Sequence, residues 1–206
     1  MERGVALLTI LGGLFVSSSL AQARDLTPSQ TEGPYYPNKK PAEIDADLTR
    51  IGTGPQAQGE VLLLNGTVVD VQGKPMAGTT VEIWQTDHQG IYAHPRDPGT
   101  AKRDKAFQFY GAATTAETGA FAFRTIMPGR YGGRPRHIHV KVTLPGGATL
   151  TTQLYFQGDA DLKGDGIAAG LGKALERVTL APMPSAGNGG PLQATIALVV
   201  GRGRKG

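Results

Sequence analysis

The chain has 206 residues, of which 39% are hydrophobic and 18% are charged. That is enough for one domain with an apolar core. It contains no cysteine, which excludes disulfides and thiolate-bound metals. Its formal net charge is +4, with three positive side chains in residues 201–206. The sequence has no basic patch with interleaved aromatic residues, so we expect no nucleic-acid partner.

Residues 1–23 have the pattern of an export signal. Arg3 precedes an apolar run over 5–16, and small residues lead to Ala21-Gln22-Ala23. That order is typical of a cleaved signal peptide, and the apolar run is short for a membrane span. We therefore predict a mature chain that starts near Arg24, is periplasmic or secreted, and is free of the membrane after cleavage. An uncleaved anchor is the alternative.

The rest of the chain predicts an arm followed by one domain. Residues 24–58 are rich in Pro, Asn, Lys and Thr and are expected to form an extended N-terminal arm. Over 59–206, short apolar runs alternate with turns, consistent with thirty glycines and fourteen prolines in the chain. We predict strands at 61–71, 79–86, 107–115, 120–126, 137–144, 150–157 and 191–200, a loop at 93–106 and one short helix at 166–178. Seven to eight short strands indicate an all-β fold, a β-sandwich.

The pair His137 and His139 is the first candidate for chemistry. On a strand, residues i and i+2 point to the same face, so both imidazoles could reach one metal ion. Spacing alone does not decide the matter, because such a pair is often packed or exposed without a ligand.

Two tyrosines are further candidates. Tyr131 stands in a glycine-rich bend six residues before His137, and the bend could fold its ring over the histidine strand. Tyr92 follows a turn at the end of the predicted 79–86 strand. Each could equally be an ordinary core or rim tyrosine. Without cysteine, any metal here would need histidine, carboxylate or phenolate ligands.

Four motifs in order make the sequence resemble the intradiol ring-cleavage dioxygenases, most closely the protocatechuate 3,4-dioxygenase type. They are Trp84-Gln85 with Gly90-x-Tyr92, Phe123-Arg124-Thr125-Ile126-x-Pro128-Gly129-x-Tyr131, Arg134-Pro135-x-His137-Ile138-His139, and Thr152-Gln153-Leu154-Tyr155-Phe156-x-Gly158-Asp159. The arm matches as well, in Pro28-Ser29-Gln30-Thr31-Glu32-Gly33-Pro34-Tyr35. The likeness runs from about residue 27 to 160.

The resemblance implies a ferric ion, Fe(III), held by four side chains, which are Tyr92, Tyr131, His137 and His139. It also implies catalytic roles for Arg134, Gln153 and Tyr131, with Tyr131 leaving the metal when substrate arrives. Arg134 could instead form a surface salt bridge, and Gln153 could be a plain strand-face amide. We expect His88 and His94 to be solvent-exposed, and Trp84 to lie in the core.

The implied reaction cleaves a catechol-type ring between its two hydroxylated carbons, with O2, to a cis,cis-muconate. Hard phenolate oxygens suit ferric iron, whereas two histidines and a carboxylate would suit ferrous chemistry. Two other classes stay open. One is a non-catalytic, transthyretin-like binding module, and the other is a zinc hydrolase using both histidines. Which catechol is the substrate is undecided. The arm could cross to a second copy in a homo-oligomer or wrap its own domain.

Overall fold

The computed structural model describes residues 23–185 and 190–201. Within these ranges the chain forms nine strands in two sheets and little helix. The strands are β1 (Val61–Asp70), β2 (Thr80–Trp84), β3 (Tyr110–Thr114), β4 (Ala120–Ile126), β5 (His137–Thr143), β6 (Thr149–Phe156), β7 (Thr179–Leu180), β8 (Met183–Pro184) and β9 (Leu192–Val200). The predicted all-β class is confirmed, and the finer arrangement as a sandwich with an arm stays a prediction.

The first sheet has four strands in the order β4-β1-β9-β8. β1 is antiparallel to β4 and parallel to β9, so the long first strand lies between these two strands. Leu62 and Leu64 of β1 are fully buried, and their neighbours Leu63 and Asn65 are more exposed. That alternation is typical of a strand with one covered face.

The second sheet has five strands in the order β3-β2-β5-β6-β7. β5 lies at its centre, antiparallel to β2 and to β6. In this register His139 lies opposite Trp84 on β2 and Gln153 on β6, and His137 lies opposite Tyr155. Residues directly opposite on neighbouring strands share a face, so the register alone gathers five functional or aromatic side chains.

Both sheets contribute to one hydrophobic core. Leu62 and Leu64 come from the first sheet, while Ile83 and Ile138 come from the second. All four are fully buried, and burying a side chain of this size stabilises the fold by roughly 1.5–3 kcal/mol. The other face of the second sheet is therefore the one left for chemistry.

The predicted strands are found with shifts of a few residues at their ends, but the predicted helix at 166–178 is wrong as one element. The chain forms a short helix α1 (Gly166–Ala169) and then a 3-10 segment (Gly172–Val178). Gly172 begins the second piece with φ of +54°, which ordinary helix geometry does not allow, so one helix cannot run through it. The two-residue strands β7 and β8 carried too little pattern to predict.

The start of the arm is hydrogen-bonded to the rest of the same chain. Arg24 N donates to Val71 O and Thr27 N donates to Val199 O. The predicted signal peptide lies outside the described residues except for Ala23. Among the described residues, no helix has the length and apolar character needed to cross a membrane.

Candidate metal centre and active site

The two histidines lie on the outer face of the second sheet. His137 and His139 alternate with Ile138, which points into the core, and their ring centroids are 4.9 Å apart. Both are nearly inaccessible, with 3% and 1% of their surfaces exposed. The strand geometry expected from the sequence therefore holds, and both imidazoles face one site.

Both rings are prepared to bind as neutral imidazoles. Burial lowers the pKa of His137 to about 4, against an opposing hydrogen bond to Pro135 O, and burial also lowers the pKa of His139 well below its usual value. His137 Nδ1 donates to Pro135 O at 2.7 Å, which leaves the Nε2 lone pair facing the site. Neutral imidazole with one nitrogen anchored is the form that ligates metals.

The loops that carry the two tyrosines touch closely. Gly90 has φ of +85°, and a Cβ there would lie 1.9 Å from Arg130 O, so this contact needs glycine. Tyr92 follows two residues later, and its backbone N donates to Asp97 Oδ2 at 2.8 Å. The contact brings the segment before Tyr92 against the segment before Tyr131.

Tyr131 folds back over the histidine strand, as the bend predicted. Gly132 and Gly133 follow it with φ of +56° and +72°, values that ordinary residues rarely adopt. The Tyr131 ring centroid lies 5.5 Å from that of His137 and 5.1 Å from that of Tyr92. The four predicted ligand side chains therefore converge on one place.

Several polar atoms in this cluster are buried and have no hydrogen-bond partner among residues 23–185 and 190–201. They are the Tyr92 hydroxyl and both ring nitrogens of His139. Each such atom costs about 1–3 kcal/mol, so folded proteins rarely retain one without a role. Burial also raises the pKa of Tyr92 well above its usual value. A cation at this place would satisfy the Tyr92 oxygen and one nitrogen of His139, and would favour the phenolate.

A cation here would need the tyrosine oxygens. The described part of the chain contains no group of three or more His, Cys, Asp or Glu side chains that could hold a metal ion. The zinc hydrolase considered from the sequence required such a third ligand beside His137 and His139. The donor set on this face is two phenols and two imidazoles, which fits a hard, highly charged cation.

Arg134 and Gln153 lie at the edge of the cluster. Arg134 Nη1 donates to Gln153 Oε1 at 3.0 Å and lies 3.3 Å from His137 Nε2. Gln153 is fully buried, and its amide donates to Thr31 O at 2.9 Å. The sequence left open a surface salt bridge for Arg134. Arg134 does form a salt bridge, with Asp165, but only 16% and 6% of the two side chains are exposed, so the pair is not on the surface.

The arm covers the outer face of the second sheet beside Tyr92 and His139. Tyr35 lies against Tyr92, with ring centroids 4.5 Å apart, and a Cβ on Gly33 would lie 3.3 Å from His139 Cε1. Trp84 is buried as predicted, but its partner is His139, on which it stacks at 4.8 Å and 8°. The arm and Trp84 therefore hold the His139 ring between them.

One expectation about the other histidines is wrong. His94 is only 2% exposed, because its Nδ1 accepts from Arg96 N and its ring lies edge-on to Tyr35. His88 is partly buried. Sequence reasoning assigned no role to Tyr155 or Asp165. Alternation from Gln153 on β6 could have identified Tyr155, but no local signal links Asp165 to Arg134, which is 31 residues away.

Comparisons with known proteins point to one family. A family model described as dioxygenase matches residues 31–195. The protocatechuate 3,4-dioxygenase beta chain of Burkholderia cepacia is 37% identical over 153 residues, covering 68% of this chain and 64% of that protein. Catechol 1,2-dioxygenase 1 of Acinetobacter lwoffii is 34% identical over 151 residues, covering 65% and 47%.

A solved structure is similar over its full length. The dioxygenase domain of a dioxygenase and carbohydrate-binding protein fusion from Streptomyces sp. SirexAA-E superposes with a TM-score of 0.68 at 33% identity. The match covers 87% of this chain and 100% of that one. By contrast, the chain spans about half the length of the Acinetobacter catechol 1,2-dioxygenases it matches.

Proposed function

The chain belongs to the intradiol ring-cleavage dioxygenase family, and from that premise we propose that it is a ferric enzyme that cleaves catechol-type rings with O2. Cleavage falls between the two hydroxylated carbons. Both atoms of O2 enter the product, so that catechol gives cis,cis-muconic acid and no external reductant is needed. We interpret the two sheets with their shared core as the β-sandwich that supports the site.

One observation carries the proposal. Two tyrosines and two neutral histidines meet on one face of a sheet, with the Tyr92 hydroxyl and His139 nitrogens buried and unpartnered among the described residues. We assign Tyr92, Tyr131, His137 and His139 as the ligands of Fe(III). Bound there, the ion would act as a Lewis acid that draws electron density from a coordinated catecholate and makes a ring carbon reactive towards O2.

The ligands differ in how firmly the protein holds them. Tyr92 is 2% exposed and packed under Tyr35, whereas Tyr131 is more exposed and is followed by two glycines with positive φ. Tyr131 is therefore the ligand that can move away when substrate arrives. Its Oη, once free, can take the proton of a substrate hydroxyl, so the site supplies its own base.

Arg134 and Gln153 act on the substrate side. The Arg134 guanidinium carries a fixed positive charge, and its Nη1 is directed at the cluster. It is placed to stabilise negative charge that develops on the ring during the reaction. The Gln153 amide donates to Thr31 O and accepts from Arg134 Nη1, so it helps to orient the guanidinium.

The colour of the purified protein tests this proposal directly. Tyrosinate bound to Fe(III) gives a visible charge-transfer band, so the ferric protein should be reddish and should take up O2 with catechol. A protein that stays colourless after loading with ferric iron, and takes up no O2, would refute the function. A panel of catechol, protocatechuate and hydroxyquinol would then identify the preferred ring, because pocket contacts decide between such analogues.

The compartment is a separate proposal. We infer that the enzyme works in the periplasm or outside the cell, because residues 1–23 carry the pattern of a cleaved signal. Amino-terminal sequencing of the exported protein should begin near Arg24. Recovery of the full-length chain from the cytosolic fraction alone would contradict the inference.

A further inference from the structure

Asp165 is a buried acid directly behind the site. Its side chain is 6% exposed and lies just before α1, where Oδ1 accepts from Ala168 N at 2.7 Å. The same carboxylate accepts from Arg134 Nε at 2.7 Å and from Arg134 Nη2 at 3.1 Å. This is the two-point geometry that binds a guanidinium edge most firmly.

The two-point contact fixes where the rest of the guanidinium points. The group is planar and rigid, so an anchored edge sets the direction of the opposite edge. That opposite edge carries Nη1, which lies 3.0 Å from Gln153 Oε1 and 3.3 Å from His137 Nε2. The orientation of Asp165 is in turn set by its bond to Ala168 N, so α1 anchors the whole chain of contacts.

The charge of Asp165 matters as well as its shape. Arg134 has 16% of its side chain exposed, and its Nη1 lies 3.3 Å from His137 Nε2. Burial by itself would raise the pKa of Asp165, but hydrogen bonds from Arg134 and Ala168 N hold it below its usual value. The carboxylate is therefore ionised at neutral pH and offsets the Arg134 charge next to a cation site.

We propose that Asp165 is a positioning residue for ring cleavage: its carboxylate clamps Arg134 so that Nη1 faces the reacting ring, and its charge balances that of the guanidinium. The inference rests on the proposed function for its catalytic meaning. The described hydrogen bonds of the Asp165 side chain go to Arg134 and Ala168 N and to none of the four proposed ligands, so Asp165 acts through Arg134.

Steady-state kinetics of ferric protein with catechol test the clamp. Asp165→Asn keeps the shape but loses the charge, and should lower kcat by about 10–100-fold, as loss of a supporting contact typically does. KM should change far less, and the reddish colour should remain because the ligands are intact. Asp165→Glu should restore part of kcat. Asp161→Asn is the same change four residues earlier, on an acid whose side chain is 41% exposed, and it should leave kcat unaltered.

A double-mutant cycle separates positioning from general stability. If Asp165 acts through Arg134, then Asp165→Asn should cost nothing further in an Arg134→Met background. If the fold-losses in kcat of the two single variants instead multiply in the double variant, the proposal is overturned. So would an unchanged kcat in Asp165→Asn, or a loss that follows only the fraction of folded, coloured protein.

The clamp can also be measured without turnover. In 15N NMR spectra of the iron-free full chain, the Arg134 Nε–H should give a slowly exchanging signal in the wild type and in Asp161→Asn. The signal, identified by its loss in Arg134→Met, should vanish in Asp165→Asn, and its persistence there would overturn the clamp. If the signal behaves as expected but wild-type ferric protein has no activity, the proposed function fails and the clamp stands.

Discussion

The five-stranded sheet has one apolar face and one face of polar and aromatic side chains. Its inner face presents Val81, Ile83 and Ile138 to the main core. Its outer face presents Glu82 and Trp84 on β2 and the two histidines on β5, all of them covered by the arm or by loops. A single strand supplies both faces because its side chains alternate.

The difference between the faces shows how stability and chemistry are divided. Apolar side chains of the inner face have many packing partners, and their loss is a loss of folding energy. His139 on the outer face and Tyr92 in the loop over it have polar atoms with no partner among the described residues, and these atoms weaken the fold unless something binds them. Substitutions on the two faces should therefore change different measured quantities.

The largest effect is expected on the outer face, for Tyr92→Phe. The variant loses one proposed ligand oxygen, so the charge-transfer band should fade and turnover should fall by roughly 1000-fold or more, about 4 kcal/mol in transition-state energy. Because the hydroxyl has no partner among residues 23–185 and 190–201, the iron-free protein should unfold at the same urea concentration or a higher one.

Tyr36→Phe is the matched control for that change. Tyr36 also lies on the outer face, but its hydroxyl donates to Glu82 rather than facing the histidines. This variant should keep the colour and turnover. Full iron content, colour and activity in Tyr92→Phe would show that the ligand assignment is wrong.

The next effect is expected on the inner face, for Ile138→Ala. Ile138 is fully buried between the two histidines in sequence, yet it faces the core. Its truncation should lower the free energy of unfolding by about 3 kcal/mol, through lost burial and the cavity left behind. Urea unfolding should register the loss, whereas the folded variant should keep its colour. A variant that loses its colour but keeps its full unfolding free energy would contradict the proposal that the inner face serves stability and the outer face serves chemistry.

The sequence predicted those features of the two faces that depend on local residue pattern. Alternation at 137–139 placed both histidines on one face, and the glycines after Tyr131 explained its return towards them. Long-range contacts were beyond such reasoning. The helix predicted at 166–178 follows a local preference that Gly172 interrupts. The pairing of Asp165 with Arg134 joins a helix start to a loop 31 residues away, which no periodicity encodes.

A smaller effect on the outer face is expected for Arg134→Met. Methionine keeps much of the volume but removes the charge that we place against the reacting ring. Loss of one such stabilising donor typically costs about 100-fold in kcat, or about 2.7 kcal/mol. O2 uptake with catechol should show the fall, and the absorption band should persist because Arg134 is no ligand. Equal losses of colour and turnover would instead assign Arg134 to metal retention.

The smallest effect is expected for the contact between the arm and the outer face. It is measured by comparing the unfolding free energies of variants at two glutamates. Glu82 is 5% exposed and accepts from Lys40, Tyr36 and Tyr110. Glu32, in the arm, pairs with Lys141 but is 41% exposed. Glu82→Gln should cost about 2 kcal/mol of unfolding free energy at pH 7, as lost hydrogen bonds to a buried charge do. Glu32→Gln should cost about 0.5 kcal/mol or less, because solvent screens an exposed pair.

The pH dependence of that difference identifies its cause. Burial alone would raise the pKa of Glu82, but hydrogen bonds from Lys40, Tyr110 and Tyr36 outweigh it and hold the pKa below its usual value. A carboxylate with a lowered pKa stabilises the fold above its unfolded pKa of about 4.3, and that contribution disappears as the pH falls through the folded pKa. The difference in unfolding free energy between wild type and Glu82→Gln should therefore be constant from pH 7 down to about pH 4.3, and should shrink as the pH falls further. A gap that does not shrink as the pH falls below about 4 would mean that shape, and not charge, holds the arm against this face.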